Sequence, residues 1–106
     1  MKRGEVWWAN LPDPWRRRPV VLLARDEAYD VLSWVVAVPI TTNIRSIPSA
    51  VALDPAADGM PRACAVALDN MQTVRTSWLD ARITTLSSER MAEIERALHF
   101  ALDLSF

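Results

Sequence analysis

Short apolar runs follow one another along the chain, cut at close intervals by proline, glycine and aspartate. Glu5–Leu11 is rich in Val and Trp and stops at Pro12-Asp13-Pro14. Pro19–Ala24 is continuously apolar, Val31–Ile40 is long and apolar, and Ala50–Leu53 is short. Ala63–Leu68 is continuous, Met71–Val74 extends it after Asp69-Asn70, and Arg82–Thr85 is the last run. β-Branched and aromatic residues between turn signals predict strands. Two of the runs are apolar on both faces, as in strands covered on both sides. The spacing predicts a small barrel or coiled sheet.

The C-terminal pattern changes period. Met91, Ile94, Leu98 and Ala101 with Leu102 form one helical stripe, while Glu93, Arg96 and His99 fall largely off it. Ser87 or Ser88 can cap the helix, and Glu89 suits its positive end. The helix is expected to lie against the sheet and close it. Asp54–Pro61, with its Pro, Gly and Asp, reads as a surface loop. No repeat or linker interrupts the 106 residues, so residues 1–106 are read as one domain.

Composition narrows the chemistry. The chain is 51% hydrophobic and 24% charged, a globular balance. Its net charge is −1, so no global positive field draws in nucleic acid. Yet residues 1–50 carry seven Lys/Arg against five Asp/Glu, and eleven of the twelve basic residues are Arg. Arginine favours fixed, bidentate contacts over diffuse attraction. Cys64 is the only cysteine, so no intrachain disulfide forms and Cys-rich zinc sites are excluded. Mid-strand and in apolar company, it reads as a core residue. His99 is the only histidine and sits on the helix, so His pairs and His-rich metal centres are excluded too. Neither a signal h-region nor a run of membrane-spanning length is present, and a cytoplasmic protein without membrane attachment is expected.

Three segments join strand ends to polar groups: Trp15-Arg16-Arg17-Arg18-Pro19, Pro39-Ile40-Thr41-Thr42-Asn43, and Leu68-Asp69-Asn70-Met71-Gln72-Thr73. Each has a plain structural reading, as a solvated basic turn, a Ser/Thr turn and a hydrogen-bonded bulge. Arg18 is the arginine that touches the proline, and a guanidinium fixed at a strand start suits phosphate oxygens. Trp15, beside the arginines, is expected to be exposed and to stack on a base or on a second subunit. Trp7, Trp8 and Trp34 read as core or dimer residues, and Trp78 as a lid on the barrel.

In order and spacing these segments resemble the MazF/PemK family of toxin ribonucleases. Gly4-Glu5-Val6-Trp7 looks like the family's opening strand, Arg18-Pro19-Val20-Val21 like its arginine-proline strand start, and Pro39-Ile40-Thr41-Thr42-Asn43 like its proline-x-threonine segment. Asp69-Asn70-Met71-Gln72-Thr73-Val74 is similar to its acid-amide strand, and Leu86-Ser87-Ser88-Glu89 through Leu104 to its closing helix. The resemblance runs from residue 3 to residue 104.

The resemblance implies an SH3-like small barrel of the MazF/PemK/CcdB type, mostly β with a C-terminal helix, paired as a homodimer. It implies a sequence-specific, metal-independent endoribonuclease with no cofactor. Such an enzyme cuts single-stranded RNA through the ribose 2′-hydroxyl, leaving 2′,3′-cyclic phosphate and 5′-hydroxyl ends. A cognate antitoxin with a disordered segment would block it. The family's catalytic arginine and threonine fall on Arg18 and Thr41, and the acid used by some branches falls on Asp69. Trp15, Arg16, Arg17, Thr42, Asn43, Asn70 and Gln72 are then RNA contacts. Such a transesterification needs alignment and charge stabilisation, and no protein nucleophile. The loop before Arg18 is shorter than usual, with Asp13 as its only acid, and Gln72 and Ala67 stand where basic residues occur in the family. Arg16, Arg17 or Arg45 can supply that charge. Two other functions fit the same barrel: a toxin that binds DNA gyrase without cutting, and a cleavage-silent RNA-binding module.

Overall fold

The alternation of β2 sets the architecture. In this computed structural model, which describes residues 1–104, Val21 and Leu23 point into one apolar cluster and Val20 and Leu22 into another. All four are buried, which explains an apolar run with no polar face. The strands are β1 (Glu5–Asn10), β2 (Arg17–Leu22), β3 (Trp34–Thr41), β4 (Ala50–Leu53), β5 (Cys64–Ala67), β6 (Gln72–Arg75) and β7 (Leu79–Thr85). Single helical turns α1 (Ala28–Val31) and α2 (Pro55–Asp58), two 3-10 turns and the helix α3 (Ser88–Ala101) complete the fold. One 3-10 turn, Leu68–Asn70, puts Asp69 and Asn70 between strands and not in the expected acid-amide strand, and the other is Thr76–Trp78. Among the described residues no helix is long and apolar enough to cross a membrane.

The antiparallel strands run in the order β4-β5-β3-β2-β1-β7, with β6 on β3 beside this path. The long β3 therefore changes partners along one edge, from β6 (Trp34–Ala37) to β5 (Ile40 and Thr41). One face carries Val6, Val38, Ile40 and Val66 against Ile94 and Ala97 of α3. The other gathers Ala9, Leu11, Val35, Ala37 and Val74, with Trp7, Trp15 and Trp78 packed around them.

The mostly β architecture with a C-terminal helix packed on the sheet is the expected one, although the sheet is not closed: β4 and β7 end the strand path without pairing. The loop leaving β4 bridges that gap. Gly59, with φ 74°, is the left-handed C-cap of α2, and a Cβ there would meet Thr84 Oγ1 of β7 at 2.7 Å. Both the backbone angle and the space demand glycine.

Several expected boundaries move, each for a visible reason. β2 starts two residues early because Arg17 and Arg18 already pair with Asn10 and Ala9. β3 starts at Trp34 because the chain first makes α1, which buries Ala28 and leaves Val31 71% exposed. β7 begins at Leu79, which pairs with Ala9. On α3, Leu102 is an exposed C-cap, and Ala97 takes the buried place expected of it. Ser87 is the N-cap, its hydroxyl accepting from the Arg90 N–H.

The expected surface loop 54–61 holds a buried acid. Asp58 accepts two hydrogen bonds from Arg90, Nε to Oδ1 and Nη2 to Oδ2, both at 3.0 Å, and one from the Asp54 N–H at 2.7 Å. This pair ties α3 to the loop that spans the gap between β4 and β7. Burial alone would raise the Asp58 pKa, but the Arg90 and Asp54 hydrogen bonds and the Arg90 charge outweigh it, leaving the value below 3.8.

A carboxyl depressed on folding stabilises the protein above its unfolded pKa and loses that contribution as pH falls through its folded value. Asp58→Asn should therefore destabilise the protein at pH 7 by on the order of 2 kcal/mol, less than for fully buried pairs because Arg90 stays partly solvated. Thermal melts should show the gap to the parent protein shrinking below about pH 4. An equal gap at pH 7 and pH 3 would rule out the ion pair as its cause.

Candidate active site

The site lies where two strands part. The Leu22 carbonyl accepts from the Gly4 N–H, and the Leu23 N–H donates to the Val36 carbonyl. Backbone polar groups alternate in direction along a strand, so the Pro19 nitrogen faces β3 and has no proton to offer it. Pairing between β2 and β3 ends at Val20 with Pro39. By the same alternation the Pro39 nitrogen faces the opposite edge of β3, between its last pair with β6 and its first with β5. The missing donor falls where that ladder changes partners.

Beyond the prolines, β2 continues along β1 while β3 continues along β5. Arg18 stands on one prong and Thr41 on the other. Residue parity puts Arg18 on the face of Val20 and Leu22, and Thr41 on the face of Val35 and Ala37, which is the same face of the sheet.

Arg18 is half-buried. Its Nε donates to the Trp15 carbonyl at 2.7 Å, and its guanidinium carbon lies 5.3 Å from the Trp15 ring centroid. The side chain is thus held at its base and across one face, and its terminal N–H groups have no acceptor among the described residues. Thr41 Oγ1 accepts from the Asn43 N–H at 3.1 Å, which leaves the hydroxyl proton to donate elsewhere.

Arg18 and Thr41 both line two adjoining clefts. The wider, about 470 Å³, is largely apolar, with Trp8, Pro19, Ile40 and Met60, and it also contains Arg17, Thr42, Arg62 and Cys64. The narrower, about 310 Å³, is more polar and contains Trp15, Asn43, Arg45, Asp69 and Asn70. The two residues form the saddle between them.

Asp69 closes the far wall of the narrower cleft. Its Oδ2 accepts from the hydroxyl of the buried Ser49 at 2.6 Å, and the Ser49 carbonyl accepts from the Leu68 N–H at 2.9 Å. Asp69 is exposed; one carboxylate oxygen is occupied, and the other has no hydrogen bond among the described residues. Sequence reasoning missed Ser49, whose partner lies twenty residues away, and it missed Arg62.

The remaining predicted contacts divide. Arg17 lines the wider cleft, but its guanidinium engages Asp80 and Asn10 and covers the Trp8 ring at 5.0 Å. Its hydrogen bonds hold the Asp80 carboxyl below the usual aspartate range. Arg16, at φ 61°, lies outside both clefts and pairs loosely with Asp13 at 3.9 Å. Gln72 sits on β6 opposite Ala37, also outside the clefts, with its amide 3.5 Å from the Asn70 carbonyl. Trp15, expected to be exposed, is half-buried because it packs on the second core cluster. Trp34 is 46% exposed, with Arg75 over its ring and Trp78 edge-on at 5.3 Å. Cys64 is buried, and burial pushes its thiol pKa up, away from nucleophilic use at neutral pH.

Comparison with known proteins agrees with this arrangement. The sequence profile of PemK-like, MazF-like toxins of type II toxin-antitoxin systems matches residues 2–102. A Mycobacterium tuberculosis protein named probable endoribonuclease MazF5 is 43% identical over 103 residues, covering 97% of this chain and 94% of that protein. The solved Mycobacterium tuberculosis toxin MazF-mt6 superposes with a TM-score of 0.87 at 29% identity, covering 96% of this chain and 99% of that one. A mycobacterial endoribonuclease solved in complex with its cognate antitoxin gives 0.88 at 28% identity, covering 100% and 98%. The forked strands carrying Arg18 and Thr41 lie wholly inside the matched region, and the chain belongs to the PemK-like, MazF-like toxins of type II toxin-antitoxin systems.

Proposed function

We propose that the protein is an endoribonuclease toxin that cuts single-stranded RNA at the Arg18–Thr41 saddle. The observation that carries the reading is the fork itself: a half-buried arginine with free donors and a threonine hydroxyl face one opening from two rigid strands. The ribose 2′-hydroxyl gives up its proton and attacks the adjacent phosphorus, the 5′-oxygen leaves and takes up a proton, and the products are a 2′,3′-cyclic phosphate and a 5′-hydroxyl. Arg18 holds the non-bridging oxygens as negative charge builds on them, and Thr41 donates to one of them. Asp69 orients the substrate or accepts a proton at the far wall. Trp15, Thr42, Asn43 and Asn70 contact the flanking nucleotides, with Arg16, Arg17 and Gln72 further out.

An RNA substrate puts this work in the cytoplasm, and a single buried thiol suits a reducing compartment. The mycobacterial neighbour solved with its cognate antitoxin supports an inhibitor for this chain as well: an antitoxin segment that occupies the clefts. Exposed Trp34, Ile44, Ile47 and Phe100 supply apolar surface for a homodimer. The gyrase-binding and cleavage-silent readings are less well supported, because the relatives that match are named as endoribonucleases.

Digestion of a long RNA in EDTA, with end mapping and end-group analysis, tests the reading. The expected products are discrete fragments with cyclic-phosphate and 5′-hydroxyl ends; an intact RNA would sink it. Thr41→Ala should lower kcat about 10²- to 10³-fold, and Arg18→Ala at least as far, with circular dichroism unchanged. A fully active Arg18→Ala protein would remove Arg18 from its role. His99, on the last turn of α3 and outside both clefts, should tolerate alanine with activity within about twofold of the parent.

A further inference from the structure

The arginines sort by partner. Arg3, Arg17, Arg25, Arg82 and Arg90 hold carboxylates with N–O contacts of 3.3 Å or less, Arg16 lies 3.9 Å from Asp13, Arg75 covers Trp34, and Arg18 is anchored on Trp15. Among the described residues Arg45, Arg62 and Arg96 have no ion pair, side-chain hydrogen bond or aromatic ring contact. Two of these three line the double cleft, Arg62 in the wider half and Arg45 in the narrower. Arg18 and Thr41 line both halves, so Arg45 and Arg62 belong to opposite sides of the saddle.

Unpaired arginines in concave surface favour an anionic occupant. Guanidinium is weakly hydrated, and its fork matches phosphate oxygens. A single strand whose scissile phosphate rests on the saddle must send its neighbouring phosphates out through the two clefts. The walls differ in chemistry. Trp8, Pro19, Ile40 and Met60 offer apolar contact on the Arg62 side, and Asn43, Asp69 and Asn70 offer hydrogen-bonding edges on the Arg45 side. A carboxylate repels phosphate, so in the narrower cleft Asp69 is left to face a base or sugar and Arg45 takes the backbone. The expected basic group missing at Gln72 and Ala67 is supplied here from two other loops.

We propose that Arg45 and Arg62 are positioning residues that grip the phosphates on either side of the scissile one, one in each cleft. The assignment rests on the endoribonuclease reading above and extends it to the path of the strand. Arg45→Gln, Arg62→Gln and the double variant would be compared on a short RNA that carries the mapped cleavage site. Binding would be measured with the same strand bearing a 2′-deoxy sugar at that site, which cannot be cut. Each single variant should raise KM about five- to tenfold with kcat within about twofold, the loss of one exposed charge-assisted contact. The slope of log binding constant against log salt should flatten by about 0.7 per arginine removed. Arg25→Gln, whose partner Glu27 lies with it on the exposed surface, should leave both readouts unchanged.

Unchanged KM and salt slope in the double variant, with a parent protein that cuts RNA, would overturn the assignment and leave the endoribonuclease reading standing. A fall in kcat at constant KM would also overturn it, since the arginines would then act in the chemical step. A parent protein that cuts no RNA, but whose binding to an unstructured RNA loses about 0.7 of salt slope with each arginine removed, would support the grip and overturn the nuclease. A parent that neither binds nor cuts would overturn both.

Discussion

Two backbone positions without a proton shape this molecule. Pro19 and Pro39 each sit inside a strand, where a missing donor normally costs a ladder hydrogen bond. Each nitrogen faces a point where strand pairing stops: Pro19 at the end of the β2–β3 ladder, Pro39 at the exchange of β6 for β5. The prolines thereby fix where the sheet divides. Had Pro19 carried a donor, β2 could have stayed paired with β3 toward Thr41, and the space between Arg18 and Thr41 would have closed. The opening is thus a property of the backbone, made before any side chain is placed.

A fork is useful only if its prongs are stiff. Both prongs rise from strands buried on both faces, with Val20, Val21, Leu22, Val35, Ala37 and Val38 at 2% exposure or less. Close packing of this kind resists small displacements, because any shift opens voids on one side and overlaps on the other. The outer frame is held differently. Strand pairing does not join β4 to β7, and the join passes instead through Gly59 against Thr84 and Asp58 on Arg90. The two prongs therefore stand on apolar packing, while the join between β4 and β7, whose loop runs on into Met60 and Arg62 of the wider cleft, rests on a buried ion pair that responds to acid.

What could be read from the chain and what could not follows from the range of each force. Apolar runs and turn residues are local, so the strands and α3 were legible to within a few residues. Where a boundary moved, a neighbour decided it: Asn10 and Ala9 drew Arg17 and Arg18 into β2, and Ala28 drew the chain into a helical turn. The burial of Asp58 was illegible because its partner lies thirty-two residues away on another element. Ser49 was invisible for the same reason, and it fixes how Asp69 presents its carboxylate. Trp15 looked exposed from its proline-rich surroundings, yet a second core cluster lies beneath it. Charge identified a basic turn correctly but could not rank its members. The ranking came from the partners: Asp80 engages Arg17, Asp13 lies near Arg16, and only Arg18 is anchored with its terminal donors open.

That ranking bears on how a chain of net charge −1 can hold a polyanion at all. Long-range attraction is weak, and most arginines are already matched by carboxylates, which cancels their fields within a Debye length. Affinity must then come from the few cations left unmatched, acting at contact distance inside concave surface. On the proposed strand path such an arrangement should give little nonspecific binding to duplexes, because the strand has to bend across the saddle between two unlike walls. On the proposed reading, selectivity for single-stranded RNA would follow from shape and from the 2′-hydroxyl that cleavage at the saddle requires. The same economy of charge makes the site easy to block, since any flexible chain bringing carboxylates to Arg45, Arg18 and Arg62 would satisfy the open donors that RNA phosphates would otherwise meet.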